Sequence, residues 1–247
     1  MNSTLPLALT FLTKLPWPWR GPADAPALAR SMFWFPWVGA ALGLIFWVAW
    51  AGLQKILPAP AAAALLLTLT VWVTGGLHLD GLADTADGLG GGHTPETALR
   101  IMKDSRVGAF GVISLILGLV LKFSLFLSLA TQTRGTGVLL LFPIISRWGM
   151  VLLAYLSPYA RAEGGLGQAM TLGVSPRVLM GASLSAGGLA LLMLGAAGLA
   201  LCIAAAALVW LASLYFQRRL GGITGDILGA TNEVVEIMVL AGAVILA

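Results

Sequence analysis

Apolar residues run in long blocks separated by short polar or Gly/Pro-containing breaks, and each block is near the roughly twenty residues an α-helix needs to cross a bilayer. The first block, 32–53, holds Pro36 and four tryptophans and ends at the turn QKILPAP. A second occupies 59–76, a third 107–130 and a fourth 137–156. Residues 178–216 are apolar throughout, too long for one crossing, and GAAG at 195–198 is the expected break between spans five and six. The last span begins near Gly229 and runs to the C-terminus. The pattern predicts an all-α, polytopic transmembrane helical bundle of about seven spans. Residues 1–31 are too short in their apolar part to span and are interrupted by Pro6, Lys14 and Pro16, so they read as an interfacial segment with Trp17 and Trp19 at headgroup level. A cleaved signal peptide is disfavoured because the charge follows the apolar run instead of preceding it.

Composition agrees: 59% of the residues are hydrophobic and 10% charged, against roughly 25% charged in soluble domains. No soluble block of domain size remains between the spans, so 1–247 is read as a single membrane-embedded catalytic domain. The formal charge of +4 does not point to nucleic acid, since no basic run carries interleaved aromatics. Cys202 is the single cysteine, which excludes disulfides and Cys-based metal sites. Sorting the basic residues over seven spans puts Lys14, Arg20, Arg30, Arg100, Lys103, Arg106, Arg161, Arg177, Arg218 and Arg219 on one side, and Lys55 and Arg134 on the other. That asymmetry predicts a cytoplasmic N-terminus. All ten acids fall on or just inside the same edge, which the positive-inside rule does not require. One cytoplasmic active site, with 77–106 as its loop, is the expectation.

Residues 75–111 hold five of the ten carboxylates. Read as a helix, Asp80, Asp84 and Asp87 fall at i, i+4 and i+7 and project from one face over about two turns. Carboxylates suit a hard divalent cation, and Mg²⁺ keeps waters and substrate phosphates in its other positions. The competing reading is a solvated polar face. Beside them MKDSRVGAFG, 102–111, opens the third span with Lys103 and Arg106 on one helical face, suited to a phosphate or merely flanking the span. In GGITGDILGATNEVVE, 221–236, a helix from near Gly225 puts Asp226, Glu233 and Glu236 near one face. Acids inside a membrane helix are costly and normally functional, although Thr224 or Asp226 also suits a helix cap. Arg147 lies mid-span and needs a carboxylate or phosphate partner. Lys122, nearer a span end, is read as snorkelling to the interface. His78 is open between general base and local hydrogen-bond partner.

HLDGLADTADG at 78–88, MKDSRVGAFG at 102–111, SR at 146–147 and GGITGDILGATNE at 221–233 resemble the cobalamin synthase (adenosylcobinamide-GDP ribazoletransferase) family, in order and across most of the chain. The resemblance implies an integral inner-membrane enzyme that joins adenosylcobinamide-GDP to α-ribazole or its 5′-phosphate, yielding adenosylcobalamin or its phosphate and GMP, with Mg²⁺. It implies Asp80, Asp84 and Asp87, with Asp226 and Glu233, as metal ligands, and His78 and Arg147 as catalytic residues. Lys103, Asp104, Ser105, Arg106, Thr224, Asn232 and Glu236 would bind substrate and its phosphates. The proton acceptor stays open between His78 and a non-ligating carboxylate, as does association with itself or with other late corrinoid-pathway enzymes. One rival is a CDP-alcohol-type membrane phosphotransferase, whose DG-x-x-AR pattern is not met because Asp84 and Thr85 stand where Ala and Arg should. The other is a small-molecule transporter, against which the chain shows no internal repeat and places its acids at one edge.

Overall fold

The computed structural model describes residues 4–17, 24–130, 135–164 and 166–246; Trp19, Arg20 and Arg134 lie outside them. Eleven α-helices follow in order among these residues: α1 Thr4–Leu12, α2 Ala25–Ser31, α3 Phe35–Ile56, α4 Ala59–Thr74, α5 Leu77–Gly91, α6 Pro95–Ile101, α7 Ala109–Leu129, α8 Val138–Leu156, α9 Leu166–Gly173, α10 Pro176–Leu220 and α11 Gly225–Leu246. Polar caps and prolines set several starts. Asp24 accepts from the Ala27 N–H ahead of α2, Thr94 from Thr97 ahead of α6, and Ser175 from Val178 ahead of α10, each with a proline in the first turn.

Span lengths match the apolar blocks. Five helices or helix runs are long and apolar enough to cross a membrane: 25–56, α7, α8, α10 and α11. α4 and α5 together make a sixth, bent by 88° where Gly75 and Gly76 adopt φ of 65° and 70°. Two successive left-handed residues end α4 and restart the helix in a new direction, a backbone path that favours glycine. The expected break in 176–220 falls at Gly195 (φ 59°, ψ −136°). A Cβ on Gly198 would overlap the Ala190 carbonyl, so the two legs of α10 turn back on each other there. Counting those legs separately gives seven spans in an integral membrane protein.

α8 is the bundle's axis: 83% of its span window is enclosed, against 22% for α7 and 28% for α10. It packs against α3 almost backbone to backbone, because a Cβ on Gly39 or Gly43 would collide with the carbonyls of Pro143 and Leu140. Small residues one turn apart allow such contact where lipid supplies no hydrophobic drive between helices. Ile113, Ile116, Leu117 and Val120 of α7 and Leu184, Leu191 and Leu192 of α10 face outward. On a water-soluble protein that surface would be a liability, whereas in lipid it is the solvent-matched face. The N-terminal segment leans on the bundle: Leu7, Ala8 and Leu12 are buried, Phe11 stacks on Phe35, and the Lys14 N–H donates to Val73 O at 2.7 Å.

Gly195 should tolerate no side chain for conformational reasons, since its Cβ direction is open. Gly195→Ala is expected to lower stability by about 1–3 kcal/mol. Gly187→Ala, in ordinary helix with equally open surroundings, should be neutral or stabilising. Thermal unfolding of both variants in detergent checks the contrast.

Candidate active site

α5 is helical across Asp80, Asp84 and Asp87, and it crosses the first turns of α11 where Gly81 lies on the Asp226 backbone and Gly229 on that of His78. This crossing opens a cavity of about 240 Å³ lined by His78, Asp80, Tyr159, Arg161 and Asp226 over an apolar floor that includes Met150 and Leu228. Thr224 caps α11, its Oγ1 accepting from the Ile227 N–H at 3.3 Å and donating to Asp226 Oδ2 at 3.2 Å. The Asp226 side chain is thereby aimed at the cavity, where Arg161 Nη2 donates to Oδ2 at 2.7 Å. Residues 158–160 are fixed by a parallel bridge, Ile223 N–H to Pro158 O and Ala160 N–H to Ile223 O, both 2.9 Å. His78 is buried, and among the described residues its Nε2 has no hydrogen-bond partner.

The three aspartates of α5 do different work. Asp80 is exposed to the cavity and Asp84, one turn on, is half-buried. Asp87 is buried and accepts from the N–H groups of Gly108 (2.7 Å) and Gly111 (2.8 Å), so both oxygens are engaged in capping α7. A Cβ at either glycine would overlap that carboxylate, which explains both glycines without a ligand. Among the described residues no three His, Cys, Asp or Glu side chains form a ready-made metal cage.

The 102–108 stretch is a turn between α6 and α7, so Lys103 and Arg106 do not share a helical face as expected. Lys103 pairs with Glu163. Arg106 grips Asp104 through Nε (3.0 Å to Oδ1) and Nη2 (2.6 Å to Oδ2), and this guanidinium holds the Asp104 carboxyl down to about 2. Ser105 lies exposed between them.

Deeper in the bundle, Lys122 does not snorkel. Its Nζ donates to Glu233 Oε2 at 2.6 Å and Glu236 Oε2 at 2.5 Å, and Arg147 Nη1 pairs with Glu236 Oε1. Asn232 Nδ2 adds a bond to Glu236 Oε1 at 3.1 Å. Two cations and two anions cancel, the condition for burying charge in an apolar bundle. The space left beside Lys122, Arg147, Glu233 and Glu236 is about 10 Å³, barely a water and far too small for a phosphate. Arg147 therefore has the carboxylate partner the sequence demanded, and Glu233 and Glu236 are held by cations instead of facing the cavity.

A family profile described as Cobalamin-5-phosphate synthase matches residues 4–244. Proteins named adenosylcobinamide-GDP ribazoletransferase are similar over nearly their whole length. The one from Syntrophobacter fumaroxidans is 42% identical over 238 residues, 96% of each chain. Those from Pseudomonas putida (strain GB-1) and Desulfitobacterium hafniense are 45% identical over 237 residues and 41% over 240, with 96% of this chain and 96% and 94% of theirs covered. The chain belongs to the cobalamin-5-phosphate synthase family. No solved structure matches it.

In this member of the cobalamin-5-phosphate synthase family, the structure gathers His78, Asp80, Asp226 and, one turn away, Asp84. It sets Arg147, Glu233, Glu236 and Asn232 behind them as a clamp, and leaves Lys103, Asp104, Ser105 and Arg106 in an exposed turn. Sequence reasoning missed Arg161 and Tyr159 at the cavity. Arg161 meets an acid 65 positions away, and nothing in its neighbourhood distinguishes it from a flanking charge. Lys122 carried a usable signal: a Lys well inside an apolar span implies a buried acid elsewhere.

The clamp makes a quantitative demand. Lys122→Met should destabilise by about 3–5 kcal/mol, because it strands a buried carboxylate. Adding Glu233→Gln should recover much of that loss by restoring neutrality. A double-mutant cycle on thermal unfolding in detergent measures the coupling, and additive losses would contradict the paired arrangement.

Proposed function

We propose that this chain transfers the cobinamide-bearing phosphoryl group of adenosylcobinamide-GDP to a hydroxyl of α-ribazole or α-ribazole 5′-phosphate, releasing GMP. Family membership supports the substrates, as the relatives' names carry them. The observation that carries the chemistry is one cavity holding two carboxylates on different helices, with the buried His78 in its wall. The acceptor oxygen forms a bond to the phosphorus on the cobinamide side, the bond from that phosphorus to the bridging oxygen breaks, and GMP departs with the bridging oxygen. The acceptor proton goes to His78 Nε2, the buried site nearest in chemistry to a general base. Asp80 on one wall and Asp226, oriented by Thr224 and Arg161, on the other would serve the reacting phosphoryl group through a shared cation, while the Arg161 guanidinium offers it direct positive charge.

Mg²⁺ fits these residues, since it commonly takes one or two carboxylates plus substrate phosphates instead of an all-protein cage. Asp80 and Asp226 would hold it, with Asp84 beside them. Bound there it would neutralise the diphosphate and the charge developing on GMP. Asp87 falls outside this set because both its oxygens cap α7, and Glu233 because it is buried in the ion-pair cluster on Lys122, away from the cavity. We place the chain in the inner membrane with the cavity facing the cytoplasm, on the strength of the basic residues sorted to that end.

Purified protein in detergent should release GMP only with both substrates and Mg²⁺ present; release independent of ribazole would overturn the proposed reaction. Asp80→Asn and Asp226→Asn should abolish turnover and reduce the thermal stabilisation given by Mg²⁺. His78→Gln should lower turnover by about 10²–10⁴-fold. Asp87→Asn should cost about 1–3 kcal/mol of stability with or without Mg²⁺, by leaving a buried amide unpaired.

Orientation is tested separately. Single cysteines at Ser105 and Lys55, in a Cys202→Ala background, should differ in labelling of intact cells by an impermeant thiol reagent. Only the one at position 55 should react, and labelling at 105 would reverse the topology.

A further inference from the structure

Beside the reaction cavity lies a second, larger hollow of about 540 Å³ between α6 and residues 160–163. Its charged walls are Glu96, Arg100, Lys103, Arg161 and Glu163, three cations against two acids. Arg161 lines both hollows, so the two are contiguous across one guanidinium. The Arg161 Nε is buried and makes no hydrogen bond among the described residues, while its Nη2 is held by Asp226. The Arg100 side chain has no ion-pair partner among the described residues. Among the described residues the Lys103 ammonium pairs with Glu163 alone, with side chains 66% and 77% exposed, a solvated contact readily exchanged for a better anion.

We propose that this outer groove is a subsite for a phosphate monoester, gripped by Arg100 and Lys103 beside the Arg161 guanidinium. A dianionic monoester carries two charges and several acceptor oxygens, and so competes well for the Lys103 ammonium against a solvated carboxylate. The reaction proposed above, on which this inference rests, offers two such groups: the 5′-phosphate of a phosphorylated ribazole and the phosphate of departing GMP. The diphosphate of the donor belongs in the inner cavity with the carboxylates. The groove's acids, Glu96 and Glu163, are outnumbered by its three cations, and it holds its anion by direct charge contact.

The test needs no turnover. Equilibrium dialysis of the full-length protein in detergent compares GMP with guanosine and ribazole 5′-phosphate with ribazole. For at least one pair the phosphorylated member should bind ten-fold or more tightly, and Arg100→Gln and Lys103→Gln should each cut that ratio several-fold. Glu163→Gln, which releases Lys103, should raise it, an effect that a merely structural role for these exposed residues would not produce. Loss confined to the ribazole pair assigns the groove to the acceptor, and loss confined to the guanosine pair assigns it to the leaving nucleotide. Ratios unmoved by all three variants overturn the subsite. Because binding is read without catalysis, a failed GMP-release assay would remove the proposed reaction without deciding this result.

Discussion

Charge neutrality inside an apolar bundle is the constraint from which the arrangement follows. Lys122 of α7, Arg147 of α8, and Glu233 and Glu236 of α11 are each nearly or wholly buried, and none is tolerable there without the others. Their mutual satisfaction ties three spans at one level. α5 then lies against α11 and α7, and its glycines permit the close approach that leaves His78 and Asp80 at the cavity wall. The clamp thus acts through position: it fixes the helices whose ends line the cavity.

The same physics divides the carboxylates of the chain into two populations. Asp87, Glu233 and Glu236 are buried and held, Asp87 by two helix N–H groups, Glu233 by Lys122, and Glu236 by Lys122 and Arg147. Among the described residues Asp80 and Asp84 form no ion pair, and Asp226 forms one with Arg161, itself part of the cavity wall. An acid whose oxygens are already committed is costly to redirect, whereas one facing an open cavity of about 240 Å³ is available to a cation or a phosphate-bound metal. Burial and partner count therefore separate structural from reactive acids more sharply than proximity in sequence does.

Placement of the polar machinery at one end has a further consequence. The outward faces of α7 and α10 are apolar along their length, so the bilayer touches hydrocarbon there, while the turns 102–108 and 158–164 and the start of α11 meet around the two hollows. A substrate that is bulky, charged and nucleotide-bearing can reach such a site from water without crossing the hydrocarbon layer. The Gly75–Gly76 bend serves the same end by redirecting the chain so that α5 presents its polar face inward.

Periodicity and length alone determined the spans, because a bilayer of fixed thickness admits few solutions; even the break at Gly195 was legible from glycine spacing. The helical face of Asp80, Asp84 and Asp87 was likewise a local property, set by the 3.6-residue repeat. Tertiary structure decided which of those acids is free. Asp87 is consumed by two amides more than twenty positions away, Lys122 finds Glu233 and Glu236 more than a hundred positions on, and Arg161 reaches the cavity through a backbone bridge to Ile223. Partners across that distance are selected by helix packing, which depends on the shapes of whole faces, and no short window of sequence contains them.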